Sequence, residues 1–205
     1  MPRAVQAAES YDNCTGFITS VPAVISTQGT WCLKQDLSTS MSSGNAITIA
    51  TNNVTIDCND FKLGGLAAGL GTTAFGVQAT DRQNATVRHC NIRGFLYGIS
   101  LESATTGGHL IEDNRFDGNT FSAIHVEGDG STVRRNRVFD TGGSLASSNA
   151  RGVFVYYNVD VLDNTVAGVT ATVGGGSYAM GIQSSAGTSS SEGDCRPRTP
   201  AGDAR

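Results

Sequence analysis

The chain has 205 residues, a formal net charge of −4, 26 glycines, one tryptophan and 16% charged residues. That length fits one elongated domain, the scarcity of Leu and Trp argues against a helical protein, and mild acidity without a basic cluster excludes nucleic acid as a natural partner. No run approaches the roughly 18 consecutive apolar residues of a membrane-spanning helix.

Residues 1–8 hold Ala4-Val5-Gln6-Ala7-Ala8, which resembles the end of a signal peptide but is too short to be one, so the true start is expected upstream. Residues 9–44 read as an N-terminal cap: mixed polarity, Pro22, a Ser/Thr-rich stretch and no copy of the repeat that follows. From residue 45 to 185 two short phrases alternate. The first reads Ile56-Asp57-Cys58-Asn59-Asp60-Phe61, then Val87-Arg88-His89-Cys90-Asn91-Ile92, Ile111-Glu112-Asp113-Asn114-Arg115-Phe116, Val133-Arg134-Arg135-Asn136-Arg137-Val138 and Val161-Leu162-Asp163-Asn164-Thr165-Val166. Its fourth positions, Asn59, Cys90, Asn114, Asn136 and Asn164, lie 22 to 31 residues apart. The second phrase reads Val77-Gln78-Ala79-Thr80, Ile99-Ser100-Leu101-Glu102, Ile124-His125-Val126-Glu127, Val153-Phe154-Val155-Tyr156 and Ile182-Gln183-Ser184, in step with the first.

Both phrases alternate apolar with polar residues, which is the period of a strand. Glycines precede most second phrases (Gly76, Gly98, Gly152, Gly181) and follow first ones (Gly94, Gly118, Gly142, Gly168), where they are expected to supply turns of positive φ. A unit of this length that buries its apolar face only against its neighbours is one coil of a solenoid. The expectation is an all-β, single-stranded parallel β-helix of about five coils. Matching residues would stack in columns, and the Asn column (Asn59, Asn114, Asn136, Asn164) would hydrogen-bond as a ladder broken at Cys90. Residues 186–205, with Ser189-Ser190-Ser191 and Cys195, lack the apolar content to order. A further copy of the first phrase is due there, so the reading frame is expected to be truncated or shifted near residue 188.

The V-x-x-N-x-[VIF] phrase, the Gly-[IV] strand and the variable turns resemble the right-handed parallel β-helix repeat of the pectate-lyase-like superfamily, over roughly residues 45 to 185. Thr30-Trp31-Cys32-Leu33 with Asp36-Leu37 looks like the capping region of its secreted members, and the resemblance implies a Cys14–Cys32 disulfide. Cys58 and Cys90 fall on neighbouring coils, where a bridge and two buried thiols both fit. An oxidised pair implies export to a secreted, periplasmic or cell-surface location. The scaffold hosts lyases, hydrolases, epimerases and adhesins alike, so it does not name an activity.

Chemistry would sit on outward columns. One reads Thr80, Glu102, Glu127, Tyr156, and the next Gln78, Ser100, His125, Phe154, Gln183. Glu102 and Glu127 should lie about 5 Å apart along the stack, so one of them protonates or a cation separates them. With Asp81 and Asp129 in the following turns they suggest a Ca2+ site, the one cofactor the pattern offers. Glu102, Glu127 and His125 are the candidate catalytic groups. Tyr156, with Arg134 and Arg137 from the basic run around Arg115 and Arg135, are the candidate substrate contacts. Asp57, Arg88, Glu112 and Arg134 alternate in sign, as a neutral structural stripe would. The catalytic sets of pectate lyases and polygalacturonases cannot be placed on this sequence. Gly69-Leu70-Gly71-Thr72-Thr73-Ala74 precedes a strand rather than a helix, His89-Cys90 with Cys58 lacks a zinc spacing, and His109 beside Gly107-Gly108 reads as a turn residue. Two functions fit: an exported protein that binds and processes an acidic polysaccharide or cell-surface glycan by lyase, epimerase or hydrolase chemistry, and a non-enzymatic, adhesin-like surface solenoid.

Overall fold

A computed structural model of the chain describes residues 11–172 and 176–185. Its Val- and Ile-rich stretches, too short to close a helix, lie as parallel strands in three sheets of seven, six and seven members. The chain visits the sheets in rotation. In one coil Leu110–Glu112 joins the first sheet, Arg115–Asp117 the second and Ser122–Glu127 the third. The product is an all-β right-handed parallel solenoid of about six turns.

The turn beyond the five expected comes from the stretch that reads as a cap. Gly16–Ile18 and Gly29–Leu33 enter the first sheet, Ala23–Ile25 the third and Leu37–Ser38 the second. Trp31 stands in the column that continues as Ile56 and Val87. Its ring lies across Gly16, where a Cβ would come within 2.6 Å of it. So large a residue in an aliphatic column hides the copy from inspection. The expected leader remnant at residues 1–8, and the tail at 186–205 with Cys195 and the frame change near 188, lie outside the described residues.

Inside the coils the columns are aliphatic: Ile56, Val87, Ile111 and Val133 in the first sheet, Leu63, Ile92, Phe116 and Val138 in the second, Val77, Ile99, Ile124 and Val153 in the third, all buried. Each such side chain stabilises by about 1.5–3 kcal/mol through apolar burial.

At the corner between first and second sheets, Asn114 donates to Asn136 Oδ1 (3.0 Å) and Asn136 to Asn164 Oδ1 (2.9 Å). Those oxygens, with that of Asn114, also accept backbone N–H groups from Cys90, Asn114 and Asn136. Asn59 does not stand in this column. The register pairs Asp57 with Arg88 but Lys62 with Asn91, so the coil that holds Asp57 carries two extra residues at its corner. Phe61 thereby takes the place that Cys90 takes in the next coil: its carbonyl accepts from Asn91 N–H as that of Cys90 accepts from Arg115 N–H. Asn59 instead donates to Leu33 O at 3.1 Å.

The two glycine sets differ. Gly94, Gly118, Gly142 and Gly168 do have positive φ. Gly76, Gly98 and Gly152 do not; a Cβ there would lie 2.4 to 2.6 Å from a carbonyl oxygen of the next coil or from a packed side chain, so the backbone approach itself demands glycine. Cys14 is bonded to Cys32 and Cys58 to Cys90, the latter bridge joining consecutive coils. Among the described residues no helix is long and apolar enough to cross a membrane.

Candidate functional site

The third sheet has the longest strands, and its outward face carries the most chemistry. Phe75–Thr80, Tyr97–Glu102, Ser122–Glu127, Ala150–Tyr156 and Ala179–Ser185 lie side by side. Strand alternation turns Ile99 and Leu101 inward and Ser100 and Glu102 outward, and does the same for the coil that holds His125 and Glu127. Register then stacks Gln78, Ser100, His125, Phe154 and Gln183 in one column.

Within this face His125 stands between the two carboxylates. Its Nδ1 is 3.4 Å from Glu102 Oε1 and its Nε2 is 3.2 Å from Glu127 Oε1. The second contact is short but lacks the alignment of a hydrogen bond, so Nε2 has charge proximity without a bonded partner. Ser100 Oγ donates to Glu102 Oε1 (2.5 Å) and lies 3.3 Å from His125 Nδ1. The bond from His125, ahead of that from Ser100, holds the Glu102 carboxyl below its ordinary range, against the opposing effect of burial. The His125 side chain is only 9% exposed and stacks on Phe154 at 4.8 Å.

Around the group lies an aromatic rim. Phe75 stacks on Tyr97 at 4.9 Å, and Phe121 meets Tyr97 edge-on at 5.1 Å. Burial, then the charge of Glu102, pushes the Tyr97 phenol above its ordinary value, so it stays a donor. Arg151 lies 4.6 Å from the Phe154 ring and 5.0 Å from that of Phe121, and donates to the Tyr178 hydroxyl at 2.6 Å. No carboxylate pairs with this guanidinium among the described residues. Tyr97 and Arg151 have a signal in the sequence: each occupies the position before the glycine of the second phrase, as do Phe75 and Met180.

The structure gathers Glu102, His125 and Glu127, with Tyr156 beside Phe154 on the same face. It does not gather the other expected contacts. Arg134 belongs to the first sheet, where its Nε and Nη2 are both taken by Glu112 Oε2 (2.9 and 2.8 Å). Arg137 belongs to the second, stacked on Arg115. A three-sided coil sends successive strands to different faces, so nearness in sequence separates them. The stripe Asp57, Arg88, Glu112, Arg134 forms ion pairs between coils, with Arg135 adding bonds to Glu112 and Asp113. The Asp57 and Glu112 carboxylates are themselves buried, beneath guanidiniums that remain partly exposed.

Among the described residues no group of three or more His, Cys, Asp and Glu is placed to hold a metal ion, and an imidazole stands between the two Glu carboxylates. Asp81 N–H donates to Glu102 O (2.9 Å), and Asp129 Oδ1 accepts from Asn158 N–H (3.3 Å).

The right-handed parallel solenoid defines the class. Residues 23–188 match the family described as "Right handed beta helix region", and the chain belongs to that family. No curated protein and no solved structure matches the chain.

Proposed function

We propose that the outward face of the third sheet binds an acidic polysaccharide and that Glu102, His125 and Glu127 move protons on it, as in lyase or epimerase chemistry. The observation that carries this reading is the imidazole held between two carboxylates beside a guanidinium with no acidic partner. Arg151 would meet the carboxylate of a uronate residue, which acidifies the adjacent ring C–H. Glu127, facing His125 Nε2, would accept that proton and become a neutral carboxylic acid beside the imidazole. In elimination the C–H electron pair forms the new double bond, the glycosidic oxygen leaves and takes up a proton, and an unsaturated sugar end results. Epimerisation returns a proton to the opposite face instead. Two disulfides favour an oxidising compartment, and hence an exported or cell-surface protein.

The test is incubation with polygalacturonate and with alginate, with and without added Ca2+, reading the ultraviolet absorbance of the unsaturated end and, for epimerisation, solvent-proton exchange at the reacting carbon. Glu127→Gln should slow either signal by about 100-fold or more. A second reading, a non-catalytic adhesin-like solenoid, is favoured by the engagement of Glu102 with both Ser100 and His125, which leaves that carboxylate little capacity to act as a base. Glycan binding unaffected by Glu127→Gln, with neither signal from the wild type, would select it.

A further inference from the structure

The turns that leave the third sheet enclose a cavity of about 370 Å³ bordered by Gln83, Asn84, Thr105, Asp129 and Tyr157. It continues the face described above. Tyr157 directly follows Tyr156, whose ring it meets edge-on at 5.0 Å, and Asp129 follows Glu127 by two residues. Its volume falls in the range that holds small ligands. Its lining is amide, hydroxyl and one aromatic wall, with a single carboxylate and no cation. The side chains of Gln83 and Thr105 make no hydrogen bond to a described residue, so an amide and a hydroxyl are open to a ligand.

We infer that this cavity takes a neutral pyranose residue of the glycan chain. A planar carboxylate and a planar amide pair with vicinal hydroxyls, and the Tyr157 ring offers a face to the apolar C–H side of a sugar. A uronate is disfavoured there, since its charge would meet Asp129 with no cation to offset it. At the far end of the strand Ala150–Tyr156, Arg151 offers the opposite chemistry. About 20 Å separates Arg151 from Tyr157 at roughly 3.3 Å per residue, enough for more than one sugar. The ligand is therefore a mixed-sequence polysaccharide, an acidic residue at the Arg151 end and a neutral one in the turn cavity. The inference rests on the acidic-glycan reading and narrows it.

Calorimetric titration against three probes tests it: tetragalacturonate, all acidic; cellotetraose, all neutral; and a hyaluronan tetrasaccharide, which alternates the two. The alternating probe should bind about tenfold more tightly than either other. Asp129→Asn keeps the oxygen that serves Asn158, and Tyr157→Gly places at φ 66° the residue best suited to it. Each should abolish that preference: Asp129→Asn by letting tetragalacturonate bind more tightly once the repelling charge is gone, and Tyr157→Gly by weakening the alternating probe while leaving tetragalacturonate affinity unchanged. Tetragalacturonate binding as tightly as the alternating probe, or a preference that survives both variants, overturns the inference while leaving the acidic-glycan reading intact, provided Arg151→Gln weakens binding. No binding of either acidic probe overturns both.

Discussion

His109 lies beside Gly107 and Gly108 and reads from sequence as a turn residue; in the structure it is 2% exposed and its Nδ1 accepts the N–H of Ala85 at 3.3 Å. That bond requires the unprotonated nitrogen, and burial pushes the imidazole down to about 4 from an ordinary 6.5. In the unfolded chain the ring binds a proton as pH falls below 6.5; in the folded chain it does so only near 4. The neutral ring thus supports the fold fully above pH 6.5, and this support is lost progressively as pH falls to about 4, a change on the order of 3 kcal/mol. Urea midpoints measured across that window should decline with acid in the wild type. His109→Asn, which keeps an acceptor near Nδ1 without titrating, should show a flatter profile, and an unchanged slope would remove His109 as the cause. Nothing in the local sequence announces this burial, because what encloses the ring is the neighbouring coil, with Ser131 Oγ accepting from its backbone N–H.

At the scale of the strand and its corner, most of the architecture was legible. The V-x-x-N phrase repeats because each coil must present an aliphatic residue inward and an amide at the corner, and the structure pairs Ile111 with Val133 and Asn114 with Asn136 accordingly. Asn59 was misplaced for a definite reason. Two inserted residues shift the corner of the coil that holds Asp57, and a motif matched on spacing alone cannot see which residue bulges out. Asn136 is the fullest member of the ladder, bonding Asn114, Asn164, Ile111 O and Arg134 O while wholly buried. Asn136→Ala leaves the Asn114 N–H and amide without their acceptor and the Ile111 carbonyl without its donor. Each stranded buried group costs about 1–3 kcal/mol, so a total loss of about 3 kcal/mol or more is expected in denaturant unfolding. A loss below about 1 kcal/mol would mean that the ladder is ornamental. The candidate site was only half legible: Glu102, His125 and Glu127 follow from column counting, whereas the aromatic rim needs the sheet's packing to bring Phe121 onto Tyr97.

A stack of coils behaves as a one-dimensional molecule, each turn contacting only the turns beside it, so a perturbation should remain where it is made. The two disulfides occupy different places in that line. Cys14–Cys32 ties down the first coil, whose Gly16–Ile18 strand has a sheet neighbour on one side only among the described residues, while Cys58–Cys90 clamps two interior coils. Cys14→Ser should therefore speed amide exchange through Gly16–Leu33, where Trp31 lies over Gly16, and leave Leu110–Glu112 and Ser122–Glu127 protected. The paired change Cys58→Ala with Cys90→Ala should act differently. A disulfide closing a loop of this size contributes about 2–4 kcal/mol, and here the loss falls where the first sheet pairs Ile56 with Val87 and Asp57 with Arg88. Exchange should then rise on both sides of the missing bridge, and the thermal midpoint should drop. If Cys14→Ser instead exposed the Asn114–Asn136 coils as fully as the first, the solenoid would be unfolding as one unit, and coupling between turns would exceed the stability of any single turn. The same nearest-neighbour logic bears on the site. Glu102 and Glu127 sit on adjacent coils three and more turns from the N-terminal end, so their geometry should survive fraying of that end, with the outward face of the third sheet intact while the first coil opens.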